Sequence, residues 1–379
     1  MRFREGLRHE LHELKKLLAK VFAVQLVLPG TAPTTTVLPV GADTYGGFMA
    51  DPITFDRDLD FRSDAIYVGR TIAPDAGGAA ALGYWWGKFY RLTMGTCSSA
   101  PCTTSTWGVL SSGNRIPTEM VMQVPIGGTP KYLGPVTAGS TVTLDDSGNT
   151  WVFFGTGRFY TAADKADQNA NFLVGVKDSV LRSGGCVQTD AVNCTNQNLL
   201  DVSSAQFCVS CASGNQVQGV GSVTTFSGLM DQIRGNTSLG ISAKDGWVIQ
   251  LNPNTGSTTL GAERSLVNPT LIGGAIFFPT FTPNNDICVS TGNSSLYAMY
   301  YLTGTGYTDP IIGLDANGVS QRSVGIGEGL ASSVAIQIGA QPTGMSGFYQ
   351  SSNSVMSKVS PKAPISLWSQ YISWISNRE

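Results

Sequence analysis

From about residue 45 onward, this sequence is a succession of short apolar runs, each stopped by a turn signal, and that pattern limits its folds more than any other feature. The β-prone runs are Ala65–Gly69, Gly87–Met94, Thr141–Leu144, Thr150–Gly155, Phe172–Val176, Trp247–Leu251, Ala275–Thr280 and Ser295–Tyr301. Between them stand Asp146-Ser-Gly-Asn, Asn252-Pro-Asn-Thr-Gly and Asp315-Ala-Asn-Gly, combinations that favour tight turns. Runs this short are strands rather than core helices. Strands and turns at this density predict an all-β chain, either a sandwich or a propeller. The 45 glycines follow no collagen-like period. The strings Trp151-Val-Phe-Phe-Gly, Ala275-Ile-Phe-Phe-Pro and Leu296-Tyr-Ala-Met-Tyr read as equivalent inner or central strands. The turn Asn252–Gly256 reads as a blade hairpin after Trp247–Leu251. No strict repeat emerges, so the pattern predicts a propeller with degenerate blades. At 379 residues, there is room for two average domains or one large all-β domain.

Residues 1–44 are set apart as an N-terminal amphipathic helix and linker, with the β region at 45–379. Within residues 3–24, Leu7, Leu11, Leu14, Leu18 and Val21 recur at spacings of four and three, making one apolar stripe. That stripe needs a partner, either the chain's own β region or a separate N-terminal module. The apolar stretch Val21–Pro29 is far shorter than the ~20 residues a membrane-crossing helix needs. It also makes a poor signal peptide, since Lys20 and Gln25 interrupt it. Basic residues do not cluster outside the leader and the net charge is −2, which argues against nucleic-acid binding. Both histidines, His9 and His12, lie in the leader, which leaves a Ser–His–Asp hydrolase without support.

Seven cysteines include three short pairs, Cys97/Cys102, Cys186/Cys194 and Cys208/Cys211, with Cys288 left over. Such pairs in polar segments suit disulfides formed in an oxidising compartment. Zinc held by the four cysteines between 186 and 211 is the rival reading. The segment 182–221 is expected to be a looped, Cys-rich insertion. Paired cysteines without a clear export signal suggest a mature fragment, a trimmed chain or one half of a split protein.

The most specific local signal is Phe55-Asp-Arg-Asp-Leu-Asp-Phe-Arg-Ser-Asp64, running into Ala-Ile-Tyr-Val-Gly69. Asp56, Asp58, Asp60 and Asp64 occupy loop positions one, three, five and nine, and the Arg62 carbonyl would add a ligand at position seven. This is the spacing of EF-hand-type loops, in which alternate side chains turn onto one Ca²⁺. Close carboxylates repel one another unless a cation compensates. Arg57 and Arg62 supply the alternative, as ion-pair partners. The loop departs from the EF-hand pattern at position six, Phe61 in place of Gly, and at position twelve, Tyr67 in place of Glu.

These residues resemble a known family. The loop and its following strand are similar to the calcium loop of PilY-type type IV pilus proteins. Further along come Leu144-Asp-Asp-Ser-Gly148, Val152-Phe-Phe-Gly-Thr-Gly-Arg-Phe-Tyr160 and Asp245-Gly-Trp-Val-Ile-Gln-Leu251. Glu263–Leu271, Gly274–Cys288, Ser294-Ser-Leu-Tyr-Ala298 and Leu367–Glu379 with Ile372-Ser-Trp374 then follow in the family's order. The resemblance implies a modified seven-bladed, quinoprotein-like β-propeller, non-catalytic and exported to the periplasm and outer membrane, the pilus tip or the cell surface. It further implies Ca²⁺ at Asp56, Asp58, Asp60, Arg62 and Asp64, minor pilins and other pilus tip components as partners, and roles in pilus extension, twitching motility and adhesion to host or abiotic surfaces. A separate adhesive module docking on helix 3–24 fits the absence of the family's large N-terminal region. Two competing expectations are a quinoprotein-type dehydrogenase and a disulfide- or zinc-stabilised extracellular binding module. The first lacks an adjacent Cys-Cys pair and a central histidine.

Overall fold

The computed structural model describes residues 46–59, 61, 63–74, 82–93, 109–111, 114–178, 198–211, 216–286, 292–338 and 345–365. The helix expected at 3–24 lies outside these residues, as do Cys97, Cys102, Cys186, Cys194, Cys288 and the motif at 367–379. The described chain is all-β apart from one α-helix and two short 3₁₀ turns.

Four larger sheets follow one another in chain order. The first holds β1 (Gly47–Met49), β2 (Ile53–Phe55), β3 (Ala65–Ile72), β4 (Trp86–Thr93) and β5 (Thr118–Val121). Here β1 and β2 both pair with one edge of β3, and β4 lies between β3 and β5. The second holds β6 (Thr141–Leu144), β7 (Thr150–Gly155), β8 (Phe172–Asp178), β9 (Leu199–Asp201) and β10 (Gly246–Gln250). Its spatial order is β6-β7-β8-β10-β9, with β9 parallel to β10. The third is the antiparallel meander β11 (Thr270–Ile272), β12 (Ala275–Pro283), β13 (Gly292–Tyr300) and β14 (Ser323–Glu328). The fourth comprises β15 (Ala335–Ile338), β16 (Met345–Gln350) and β17 (Met356–Val359). Four larger sheets, with smaller ones at their margins, are what the described residues form, against an expectation of seven blades.

Strand periodicity explains the stacking. Side chains alternate faces along a strand, and in β7 every residue is buried. Val152 and Phe154 enter a core shared with Tyr67 and Phe89 of the first sheet. Trp151 and Phe153 enter a second core with Ile276 and Phe278 of the third. In β12 the same division recurs, because Ala275 and Phe277 meet Val334 and Met345 in a third core toward the fourth sheet. Phe89 stacks flat on Phe154 with ring centres 4.0 Å apart. Close approach demands glycine at position 175, where a Cβ would lie 2.5 Å from the Trp247 indole.

Every run named from the sequence occurs as a strand, with ends shifted by up to three residues. The proposed equivalence of three strings holds for two of them. Trp151–Gly155 and Ala275–Pro279 are second strands of successive sheets, whereas Leu296–Tyr300 is the neighbour of β12 within one sheet. The turn after β10 closes no hairpin; the chain goes on through Leu260 and Arg264, which bridge to Asn284 and Phe281 at the third sheet. The 182–221 segment is not all loop: its described part contains β9, a short pairing of Gln206–Cys208 with Val217–Gln218, and a Cys208–Cys211 disulfide with Cα atoms 5.6 Å apart. That pair is the one expected at Cys208/Cys211, while Cys186 and Cys194, the other two cysteines of the zinc reading, lie outside the described residues. Helix α1 (Phe226–Arg234) was not anticipated. Thr225 caps it by accepting from the Gly228 amide at 3.0 Å, and Leu229 and Ile233 enter the second core.

The β6–β7 hairpin turns on one carboxylate. Asp145 Oδ1 accepts from the Ser147 and Asn149 amides at 2.9 and 2.8 Å, and Oδ2 from Asn149 Nδ2 and Trp151 Nε1 at 2.7 and 2.9 Å. Burial opposes its ionisation, but the bonds from Asn149, Trp151 and the backbone outweigh burial and hold its carboxyl below the usual value. A lowered folded-state value means that the contribution is complete above the unfolded value of about 3.9 and is lost as pH falls through the folded one. We expect Asp145→Ala to cost at least about 2 kcal/mol in urea unfolding near neutral pH, since it also strands the buried indole N–H. Below about pH 4, wild type should lose stability along a slope that Asp145→Asn lacks.

Candidate metal site and comparison with known proteins

The acidic loop is the connection of a β-hairpin. Phe55 of β2 pairs with Ala65 of β3, and the Asp64 amide donates to the Phe55 carbonyl at 2.8 Å. The loop therefore closes at its base, as a bulb at the end of the first sheet. Two carboxylates are tied to its backbone: Asp64 Oδ2 accepts from the Arg57 amide and Asp56 Oδ2 from the Phe61 amide, both at 2.7 Å.

Asp56, Asp58 and Asp64 each offer an oxygen lying within 4.8 Å of the others. Oxygens bound at ~2.3–2.6 Å to a common cation stand no more than about 5 Å apart. The three carboxylates therefore fit a hard divalent ion, and their all-oxygen chemistry favours Ca²⁺ or Mg²⁺ over softer metals. Asp60 and Arg62, the other two expected ligands, lie outside the described residues.

The departures from the EF-hand pattern now have physical meaning. Phe61, at the glycine position, has φ 66°, and Leu59 has φ 61°. Both hold the left-handed conformation that glycine adopts without cost and other residues adopt at roughly 1–2 kcal/mol. Both side chains point outward, each 79% exposed. The backbone thus takes the shape glycine would have eased. Tyr67, at position twelve, is fully buried and turned away from any ligand role. Its hydroxyl donates to Asp178 Oδ2 at 2.8 Å, and Arg91 Nη1 pairs with Asp178 Oδ1. Burial first, then Asp178, raises the Tyr67 phenol well above its usual value, so it stays a neutral donor.

Arg57 also ties the loop to its neighbour. Its Nη2 donates to the Gly148 carbonyl at 3.1 Å, in the Asp145–Asn149 turn of the second sheet. The loop thus touches the second sheet through Arg57, and the strand following it does so through Tyr67 and Asp178. Sequence reasoning assigned Arg57 to charge neutralisation and gave Asp178 and Arg91 no role. A lone Asp ending an apolar strand and an Arg within another carry no signal of partnership across more than eighty residues.

No protein-family model matches the chain. A curated relative, a "Type IV pilus biogenesis factor PilY1 homolog" of Xylella fastidiosa, is 26% identical over 205 residues. That match covers 52% of this chain and 12% of the relative, so the chain spans only a small part of that protein's length. The solved C-terminal domain of Pseudomonas aeruginosa PilY1 aligns with a TM-score of 0.49 at 15% identity, over 86% of this chain and 63% of that one. The chain is similar to PilY-type proteins, as its motifs indicated.

Phe61→Gly should relieve the left-handed strain. We expect it to raise the unfolding free energy by about 1 kcal/mol, read as an upward shift in melting temperature, whereas Phe61→Ala should give no such gain.

Proposed function

We propose that this chain is a calcium-binding component of type IV pilus assembly, acting at the pilus tip or cell surface to favour extension, twitching motility and adhesion. The observation that carries the reading is the convergence of Asp56, Asp58 and Asp64 within one hairpin bulb, in a chain similar to a pilus biogenesis factor. The four sheets packed face to face in chain order support a modified quinoprotein-like propeller as the architecture. Asp60 and the Arg62 carbonyl complete the ligand set in this proposal. Minor pilins and other tip components are the proposed partners, and a separate N-terminal module would dock on the apolar stripe of residues 3–24. Among the described residues no helix is long and apolar enough to cross a membrane, and the Cys208–Cys211 disulfide suits an exported protein.

Calcium here would act by linkage. An ion that binds only the ordered loop stabilises it by mass action, by about 2.7 kcal/mol at a hundredfold excess over Kd. The Arg57–Gly148 bond and the Tyr67–Asp178 pair adjoin the loop on the second-sheet side, giving a route by which calcium level reaches a partner-binding surface.

Isothermal titration should show one calcium per chain, with Asp58→Asn weakening binding at least about tenfold, the loss of a charged ligand being worth more than 1.4 kcal/mol. A wild-type chain that neither takes up heat-detectable calcium nor melts higher in millimolar calcium would remove the ion from the account. In cells, loss of the protein should reduce surface pili and twitching. Restoration by wild type and not by Asp58→Asn at limiting calcium would tie the loop to that role; equal restoration by both would separate them.

A further inference from the structure

At the opposite end of the first two sheets lies a cavity of about 230 Å³. The eight-residue strand β3 separates that end from the acidic loop by about 23 Å, at ~3.3 Å per residue. Three segments form the cavity: Tyr84 before β4, Pro130–Tyr132 in the hairpin after β5, and Asn169–Phe172 at the start of β8. A space of this size suits a single small ring.

The walls join flat apolar surface to a few polar groups, the usual composition of a small-molecule site. Tyr132 packs edge-on against Trp86, with ring centres 5.4 Å apart, in a cluster that also takes in Tyr84. Among the described residues the buried Trp86 indole N–H in that cluster has no acceptor. Burial, then Tyr132, raises the Tyr84 phenol above its usual value, so it stays protonated and able to donate. Asn169 is fixed, because both its amide N–H groups, backbone and side chain, donate to Asp167 Oδ1. Lys131 is the one charged side chain on the cavity wall. Its Nζ donates to Gln250 Oε1 at 3.0 Å, and it has no carboxylate partner among the described residues.

We propose that this cavity binds one acidic sugar ring, a hexuronate unit of a polysaccharide. Tyrosine and proline surfaces accept the C–H faces of the ring, Asn169 and the phenols meet its hydroxyls, and Lys131 meets its carboxylate. An aromatic wall gives no reason to prefer a charged ligand, and a lone lysine gives none to prefer a ring. The combination selects a molecule with both.

Ligand-observed NMR titration of the full chain with methyl glucuronide tests this, with methyl glucoside and acetate in parallel. We expect saturable glucuronide binding, about tenfold weaker binding of the uncharged glucoside, and about a tenfold loss for Lys131→Gln, the scale of one charge-assisted hydrogen bond. Asn169→Ala should also weaken binding, with melting temperature close to wild type in both variants. Calcium chelation should leave glucuronide affinity unchanged, so failure at this site and failure of the acidic loop are distinguishable. The proposal is overturned if glucuronide shows no saturation, if glucoside or acetate binds equally well, or if Lys131→Gln binds as wild type does.

Discussion

Strands that bury both faces at once govern this structure. In β7 the residues Trp151, Val152, Phe153 and Phe154 alternate between two cores, so neither core can form without the other's sheet in place. β12 repeats the arrangement one sheet further on. A strand of this kind has no solvent face, which is why its sequence reads as an unbroken apolar run rather than an alternating one. Face-to-face stacking in chain order follows from it, since each sheet offers its neighbours two apolar surfaces.

The two candidate sites lie where this stacking runs out, at opposite strand ends. The acidic bulb joins β2 to β3 at one end, with Arg57 reaching Gly148 and Tyr67 reaching Asp178 in the next sheet. The small cavity opens at the other, where Tyr84, the hairpin after β5 and the start of β8 meet. The cavity is made from segments of both sheets, and the acidic loop is tied to the second sheet by Arg57, so the geometry of each depends on the packing between those sheets. The Tyr67–Asp178–Arg91 group is buried within that packing. Removing one member of such a group would leave a buried charge or donor unmatched, which costs far more than an exposed pair gains.

Most central strands were legible in the sequence because short apolar, β-prone runs stand between turn signals, too short for core helices. Short edge strands were not. Gly47–Met49, Leu199–Asp201 and Thr270–Ile272 are three residues each, too few to show a period, and β9 joins its sheet in parallel from a distant insertion. The strands of the fourth sheet interrupt their apolar residues with Ser, Gln, Gly and Lys and leave most positions partly or fully exposed, so no long apolar run marks them. Helix α1 did carry a signal: Phe226, Leu229, Met230 and Ile233 share one face behind a Thr225 cap. Gly228 within its first turn and the cysteine-rich stretch before it obscured that pattern. At the acidic loop, spacing named four carboxylates as one group; Asp56, Asp58 and Asp64 lie close together, and Asp60 lies outside the described residues. Spacing could not show that Phe61 adopts the glycine conformation in place of breaking the loop, nor that Tyr67 turns inward to Asp178. The first outcome accompanies a hydrogen bond within the loop, from the Phe61 amide to Asp56, and the second depends on long-range packing.

Adjacent residues on opposite faces of β7 give the most direct measure of the two-faced packing. Phe153 belongs to the core shared with the third sheet and Phe154 to the core shared with the first. Urea unfolding of Phe153→Ala and Phe154→Ala should show each losing about 3–5 kcal/mol, the scale of a buried phenylalanine truncation, within one cooperative transition. A loss below about 1 kcal/mol in either variant would mean that one face of the strand is not packed, and the stacking on which both sites depend would be wrong.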